Sequence, residues 1–162
     1  MNATLPTTIR SGRKTGLQQR GVAAVEFAIV LPVLLLLMFG TAELGRAFFQ
    51  YNTLTKAVRD GARYVSRNAL DGSLGIVNLT AQVDTETRNL VVYGVAGGGA
   101  SSLLPGFTPA DVSVVDAGAN NVTVSATYAY TPMVGATLPT FGLGSGPSLA
   151  FTLQATVTMR AL

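Results

Sequence analysis

The chain has 162 residues, enough for one modest domain and an anchor. Mean hydropathy is +0.41 and only 12% of residues are charged, which excludes an ordinary soluble domain. With no cysteine and no histidine, disulfides, thiolate metal sites and the commonest general base are excluded. The pI of about 9.6 suggests nucleic acid, but the charge map argues against that. Residues 1–20 hold Arg10, Arg13, Lys14 and Arg20 and no acid, whereas the remainder holds seven bases against eight acids. A basic leader ahead of an apolar run is a membrane-orientation signal.

In chain order, residues 1–21 read as a basic, polar, disordered leader on the cytoplasmic side. Phe27 to Ala42 then carry no charge. A helix over 22–67 is expected, crossing the bilayer at about 22–42. Glu26 and Glu43 would then lie near opposite boundaries. Glu26 is the anomaly, since an ionised side chain costs roughly 2.5–3.5 kcal/mol at the centre of a membrane helix. Pro32 removes one backbone donor and is expected to bend the helix, which a span tolerates. Beyond the membrane, Leu44, Phe48, Tyr51, Leu54 or Thr55, Val58, Ala62 and Val65 recur at three- and four-residue steps and predict an apolar stripe. Lys56, Arg59, Arg63 and Arg67 fall off it as a basic ridge. The ridge reads either as a solvated face or as a docking face. Residues 43–67 hold five bases and two acids, and residues 68–162 two bases and five acids. Pairing of opposite charge within or between subunits is therefore one use for it.

Asn68, Asp71, Gly72 and Gly75 predict the helix end. A second helix is expected around Leu79 to Tyr93, with Leu79, Val83, Leu90 and Val91 inward. Gly94 to Pro109 reads as a loop. Its G-V-A-G-G-G-A-S run lacks the G-K-[ST] of a phosphate-binding loop. Val112–Asp116 is a short strand candidate, followed by a turn through Gly118, Asn120 and Asn121. Val122–Thr131 and Leu149–Arg160 alternate apolar and polar residues with period two, as half-buried strands do. The long loop Pro132–Pro147 reads as a partner contact or a lid. Two or three strands cannot bury an apolar face alone, so Tyr51 and Val58 are expected to cover Val122, Val124, Leu153 and Val157. The fold class is α+β: a long N-terminal helix packed on a small antiparallel sheet, with 68–162 as an extracytoplasmic head. The remaining acids are scattered and form no catalytic pair, so an enzyme is not expected, nor a cofactor or metal.

The segment R-G-V-A-A-V-E-F-A-I-V-L-P-V-L-L-L-L-M-F-G-T-A-E-L-G-R, followed by A-V-R-D-G-A-R-Y-V, resembles the TadE-like family, the pilin-like components of tight-adherence (Tad/Flp) pilus systems. Type IV pilin precursors have a basic leader ending in glycine and a glutamate as fifth mature residue. The resemblance implies cleavage by a prepilin peptidase between Gly21 and Val22, and an assembly role for Glu26 beside the aromatic Phe27. It implies a minor pilin-like subunit, or pseudopilin, in the bacterial inner membrane, possessing a single span and an outward head and supporting adhesion. Its partners would be other pilin-like subunits, the major pilin, the inner-membrane assembly platform and the lipid bilayer, with no nucleic acid. The competing reading is an extracytoplasmic binding domain, either anchored or released by a signal peptidase after G-T-A at Gly40–Ala42.

Overall fold

The computed structural model describes residues 15–71, 76–133, 135–137 and 144–162. The element order is α1 (Thr15–Asn68), β1 (Leu70–Asp71), β2 (Ile76–Val77), α2 (Ala81–Tyr93), a 3-10 turn (Pro109–Asp111), β3 (Val112–Gly118), β4 (Asn121–Ala129) and β5 (Thr152–Arg160). The chain divides into two compact units after Met38. The fold is α+β, as expected. The helix begins at Thr15, within the leader read as disordered. Leu17, Gln18, Gln19 and Arg20 are good helix formers, and nothing in them stops the helix running back from the apolar run.

In the first unit, α1 presents its apolar residues outward. By length and composition α1 qualifies to cross a membrane from Gly21 onward. Its most apolar window has a mean hydropathy of 2.7 and none of it is buried. A soluble core helix would have that surface covered.

In the second unit, Phe39–Leu162, strands β3, β4 and β5 form an antiparallel sheet in that order. Val124 of β4 lies opposite Val114 on one side and Val157 on the other. The β3–β4 turn sits on Ala119 and Asn120, both left-handed at φ 52° and 60°, after a bulge between Asp116 and Gly118. A two-residue turn of this hand matches the twist of its strands. On the outer face, Thr123 meets Thr158 at 2.8 Å and Ser125 meets Thr156 at 3.0 Å through their hydroxyls. On the inner face, Val122, Val124, Ala126, Tyr128, Leu153 and Ala155 are buried, and they share one core with Leu54, Val58, Ala62 and Val65 of α1. The expected seam between helix and sheet therefore exists at Val58, whereas Tyr51 is exposed.

The stripe departs from expectation at its start. Leu44 and Phe48 face out with Tyr51, and the buried line runs through Glu43, Ala47, Gln50 and Leu54. These fall at the same three- and four-residue steps, one residue earlier. The helix turns two polar side chains inward because Glu43 finds donors there. Among the described residues, the Gln50 Oε1 atom has no hydrogen-bond partner.

Helix α2 starts on Thr80, whose hydroxyl accepts from the Val83 N–H, and ends at Gly94 in the left-handed region. Its inward residues are Thr87, Val91 and Val92, while Leu79, Val83 and Leu90 are half-buried. α2 approaches α1 closely at Gly61, where a Cβ would lie 2.4 Å from Cγ2 of the buried Val91. Gly61→Ala should therefore destabilise the unit by about 1–3 kcal/mol through overpacking. On helix propensity alone it would gain about 1 kcal/mol. Chemical denaturation of the purified chain decides the sign.

The segment after α2 contributes more than a loop. Leu104 and Phe107 are buried, the Phe107 and Tyr128 rings meet edge-on at 5.9 Å, and the Tyr128 hydroxyl donates to the Pro105 carbonyl. Arg88 pairs with Asp84 at 2.8 Å and donates to the carbonyl of Val112 at 2.5 Å, which ties α2 to the start of β3. Of the Pro132–Pro147 loop, Val134 and 138–143 lie outside the described residues, and so do Gly72 and Gly75.

Candidate functional site

In the first unit, Gly21, Val22, Glu26 and Phe27 are all exposed on α1. Val22 and Glu26 are four apart and share a helix face, with Phe27 adjacent to it. A Cβ placed on Gly21 would meet nothing within 4 Å. No ion pair among the described residues involves Glu26. The carboxylate stands exposed on an apolar helix.

In the second unit, Lys56, Arg59, Arg63 and Arg67 are exposed along one side of α1. Lys56 and Asp60 edge a shallow cavity of about 290 Å³ with Gly94 and Leu103. Four acids of the head are engaged elsewhere. Asp84 holds Arg88, Asp111 accepts from the Thr108 N–H at 2.9 Å, and Asp116 accepts from the Gly118 N–H at 2.8 Å. Glu86 accepts from the Tyr64 hydroxyl and from Gln82. The Tyr64 bond, with that of Gln82, holds the Glu86 carboxyl below its ordinary value, and the same bond raises the Tyr64 hydroxyl. Among the described residues the ridge makes no ion pair.

Sequence reasoning missed a third group. Glu43 is buried, and its carboxylate accepts from the Tyr130 hydroxyl and from the Met133 N–H at 3.0 Å. Tyr130 also stacks on Phe151, centroid to centroid 4.9 Å. One carboxylate thereby joins α1 to the chain leaving β4 and, through Tyr130, to the approach to β5. The signal was available: Glu43 and Gln50 are seven apart on the line that continues to Leu54 and Ala57, and Tyr130 ends an alternating strand.

Burial, with the hydrogen bond to Glu43, pushes the Tyr130 hydroxyl up from 10.0 to about 12. The unfolded chain therefore loses this proton first as pH rises. The stabilisation is complete below pH 10 and is lost towards about pH 12. Stability between these limits, followed by chemical denaturation, should fall less steeply with pH in Tyr130→Phe than in the wild type.

No curated protein and no solved structure matches the chain. The family model described as TadE-like protein matches residues 21–63, the stretch of α1 that holds Gly21, Val22, Glu26 and Phe27 and the family that the R-G-V-A-A-V-E-F pattern resembles.

Proposed function

We propose that this protein is a pilin-like minor subunit associated with a Tad/Flp-type pilus, a structural and assembly component rather than an enzyme. The observation that carries this reading is a TadE-like segment in which an exposed glutamate sits five residues after an exposed glycine, at the head of an unburied apolar helix. The leader is cut after Gly21 by a prepilin peptidase. Single-pass residence in a bacterial inner membrane follows, with the leader cytoplasmic and the head outside. The outward apolar face of α1 meets other pilin-like subunits, and the basic ridge Lys56, Arg59, Arg63 and Arg67 is a docking face towards them or the assembly platform. Support of adhesion is the downstream role.

Cleavage supplies the partner that Glu26 lacks. Before the cut, Val22 carries an uncharged amide; after it, an α-ammonium. A carboxylate and an ammonium on neighbouring subunits offset much of each other's insertion cost, whereas either alone remains uncompensated. Glu26→Gln should insert and be cut like the wild type, yet lose crosslinks to pilin-like partners in detergent. Crosslinking at the wild-type yield would leave Glu26 as a boundary charge that snorkels to the cytoplasmic interface.

A further inference from the structure

The register of β5 decides which of its backbone groups are used. The Tyr130 N–H donates to the Phe151 carbonyl at 2.9 Å, and the Ala161 N–H to the Asn120 carbonyl at 2.8 Å. Both pairs continue the β4–β5 register, in which Ala129 lies opposite Thr152 and Asn121 opposite Arg160. Opposite residues of an antiparallel ladder alternate between exchanging both hydrogen bonds and exchanging none. Leu153, Ala155, Val157 and Met159 therefore bond to β4. Thr152, Gln154, Thr156, Thr158 and Arg160 turn their N–H and C=O groups to the other edge of β5. These residues are exposed and β5 ends the sheet. Among the described residues no backbone hydrogen bond reaches those groups.

The opposite edge of the sheet is closed. At β3 the Val112 N–H bonds to the Pro109 carbonyl, and Arg88 covers the Val112 carbonyl at 2.5 Å. The register breaks between Asp116 and Gly118, and Asp116 adds a charge. Cover, bulge and charge are devices that keep an edge strand from pairing. β5 has no proline, no break in register and no charge from Thr152 to Met159. Its inner side is also unfinished. Val122 and Val124 of β4 are fully buried, whereas Val157 and Met159 are only partly buried against the same core. Arg160 ends the strand as its one charge, and no ion pair among the described residues involves it.

We propose that the free edge of β5 binds an extended segment of another protein by antiparallel strand addition. The backbone fixes the shape of the occupant. An apolar patch accepts many partners, but N–H and C=O groups on alternate residues of a strand are matched by an extended backbone. The side chains of β5 fix its chemistry, because directly opposite residues of paired strands touch. The added strand presents apolar residues to Val157 and Met159. On the outer face it presents uncharged polar residues to Thr156 and Thr158, whose hydroxyls are already held by Ser125 and Thr123. Opposite Arg160 it carries a carboxylate. A second copy of the chain does not meet this description: β5 contains no acid, and the edge of β3 is closed. The surface lies wholly in the Phe39–Leu162 unit and goes beyond the pilin reading, since it needs neither the anchor nor the cut after Gly21.

The probe is a peptide of nine residues, the length of β5. It consists of glutamate followed by alternating valine and threonine, with a polyethylene glycol tail that keeps it monomeric. It is titrated into the full chain in detergent, and amide exchange is followed residue by residue by NMR. The peptide is expected to slow exchange at Gln154, Thr156 and Thr158 and to leave Ala155 and Val157, already in the ladder, unchanged. A twin methylated on the threonine nitrogens keeps the side chains, lacks the donors and should not bind. Thr156→Pro removes one outward N–H at an edge position, where proline is tolerated, and should weaken binding about tenfold. Equal binding of the methylated twin, or no slowing at any soluble concentration of peptide, overturns strand addition. Equal binding of a peptide with lysine in place of glutamate overturns the acidic partner. Protection of Gln154, Thr156 and Thr158 that grows with the concentration of the chain alone overturns the assignment in favour of a second copy.

Discussion

Val58→Asp unfolds the Phe39–Leu162 unit. Val58 is fully buried where α1 enters the core shared with Val122, Val124 and Leu153. A carboxylate there has no cation within the apolar core to pair with, and an unpaired buried charge belongs to the small class of substitutions costing about 4–5 kcal/mol. A domain of this size has a total stability of about 5–15 kcal/mol, so from about a third to all of it is lost. Arg59→Ala, one residue further, changes an exposed side chain and should stay within about 0.5 kcal/mol of the wild type. Limited proteolysis of the full chain in detergent separates the two. Equal resistance of Val58→Asp and the wild type would show that a different face of α1 meets the sheet.

Gly21→Leu should abolish maturation. On the proposed cut after Gly21, a peptidase fits closely around the residue before the bond, and a leucine side chain would obstruct that fit. The chain itself does not resist the change. Gly21 lies within α1 with open space where a Cβ would go, so the variant makes no clash of its own. Leucine is also the better helix former by about 0.8–1 kcal/mol. Folding and processing therefore respond in opposite directions. Thermal stability holds or rises while the precursor accumulates at full length. A Gly21→Leu chain that shortens at the wild-type rate would remove the main support for pilin-type processing.

Period-two alternation made β4 and β5 legible, since Val122, Val124, Ala126 and Tyr128 all turn inward as their spacing requires. The second helix was legible from its apolar spacing, within two residues at its start. The face of α1 was read correctly from Leu54 onward and one residue out before it. A period of 3.6 allows either line through residues 43–51, and hydrophobicity alone favours Leu44, Phe48 and Tyr51. The choice depended on Tyr130 and on the Met133 N–H reaching Glu43, contacts between residues about ninety positions apart that no local pattern contains. Leu104 and Phe107 were hidden for a related reason. They stand among glycine, serine and proline, where composition indicates a loop, yet they fill the core beside Tyr128. Gly21, Val22, Glu26 and Phe27 stand in a short linear pattern, within the stretch that the TadE-like model matches.

The N-terminal residue of the mature protein tests the central claim most directly. Sequencing the protein purified from membranes of a host with its prepilin peptidase should return Val22 first, followed by Ala23, Ala24, Val25 and Glu26. A mature chain beginning at Glu43 would make the apolar run a signal peptide, and an intact leader would make it a plain anchor. Either result would contradict the pilin-type reading.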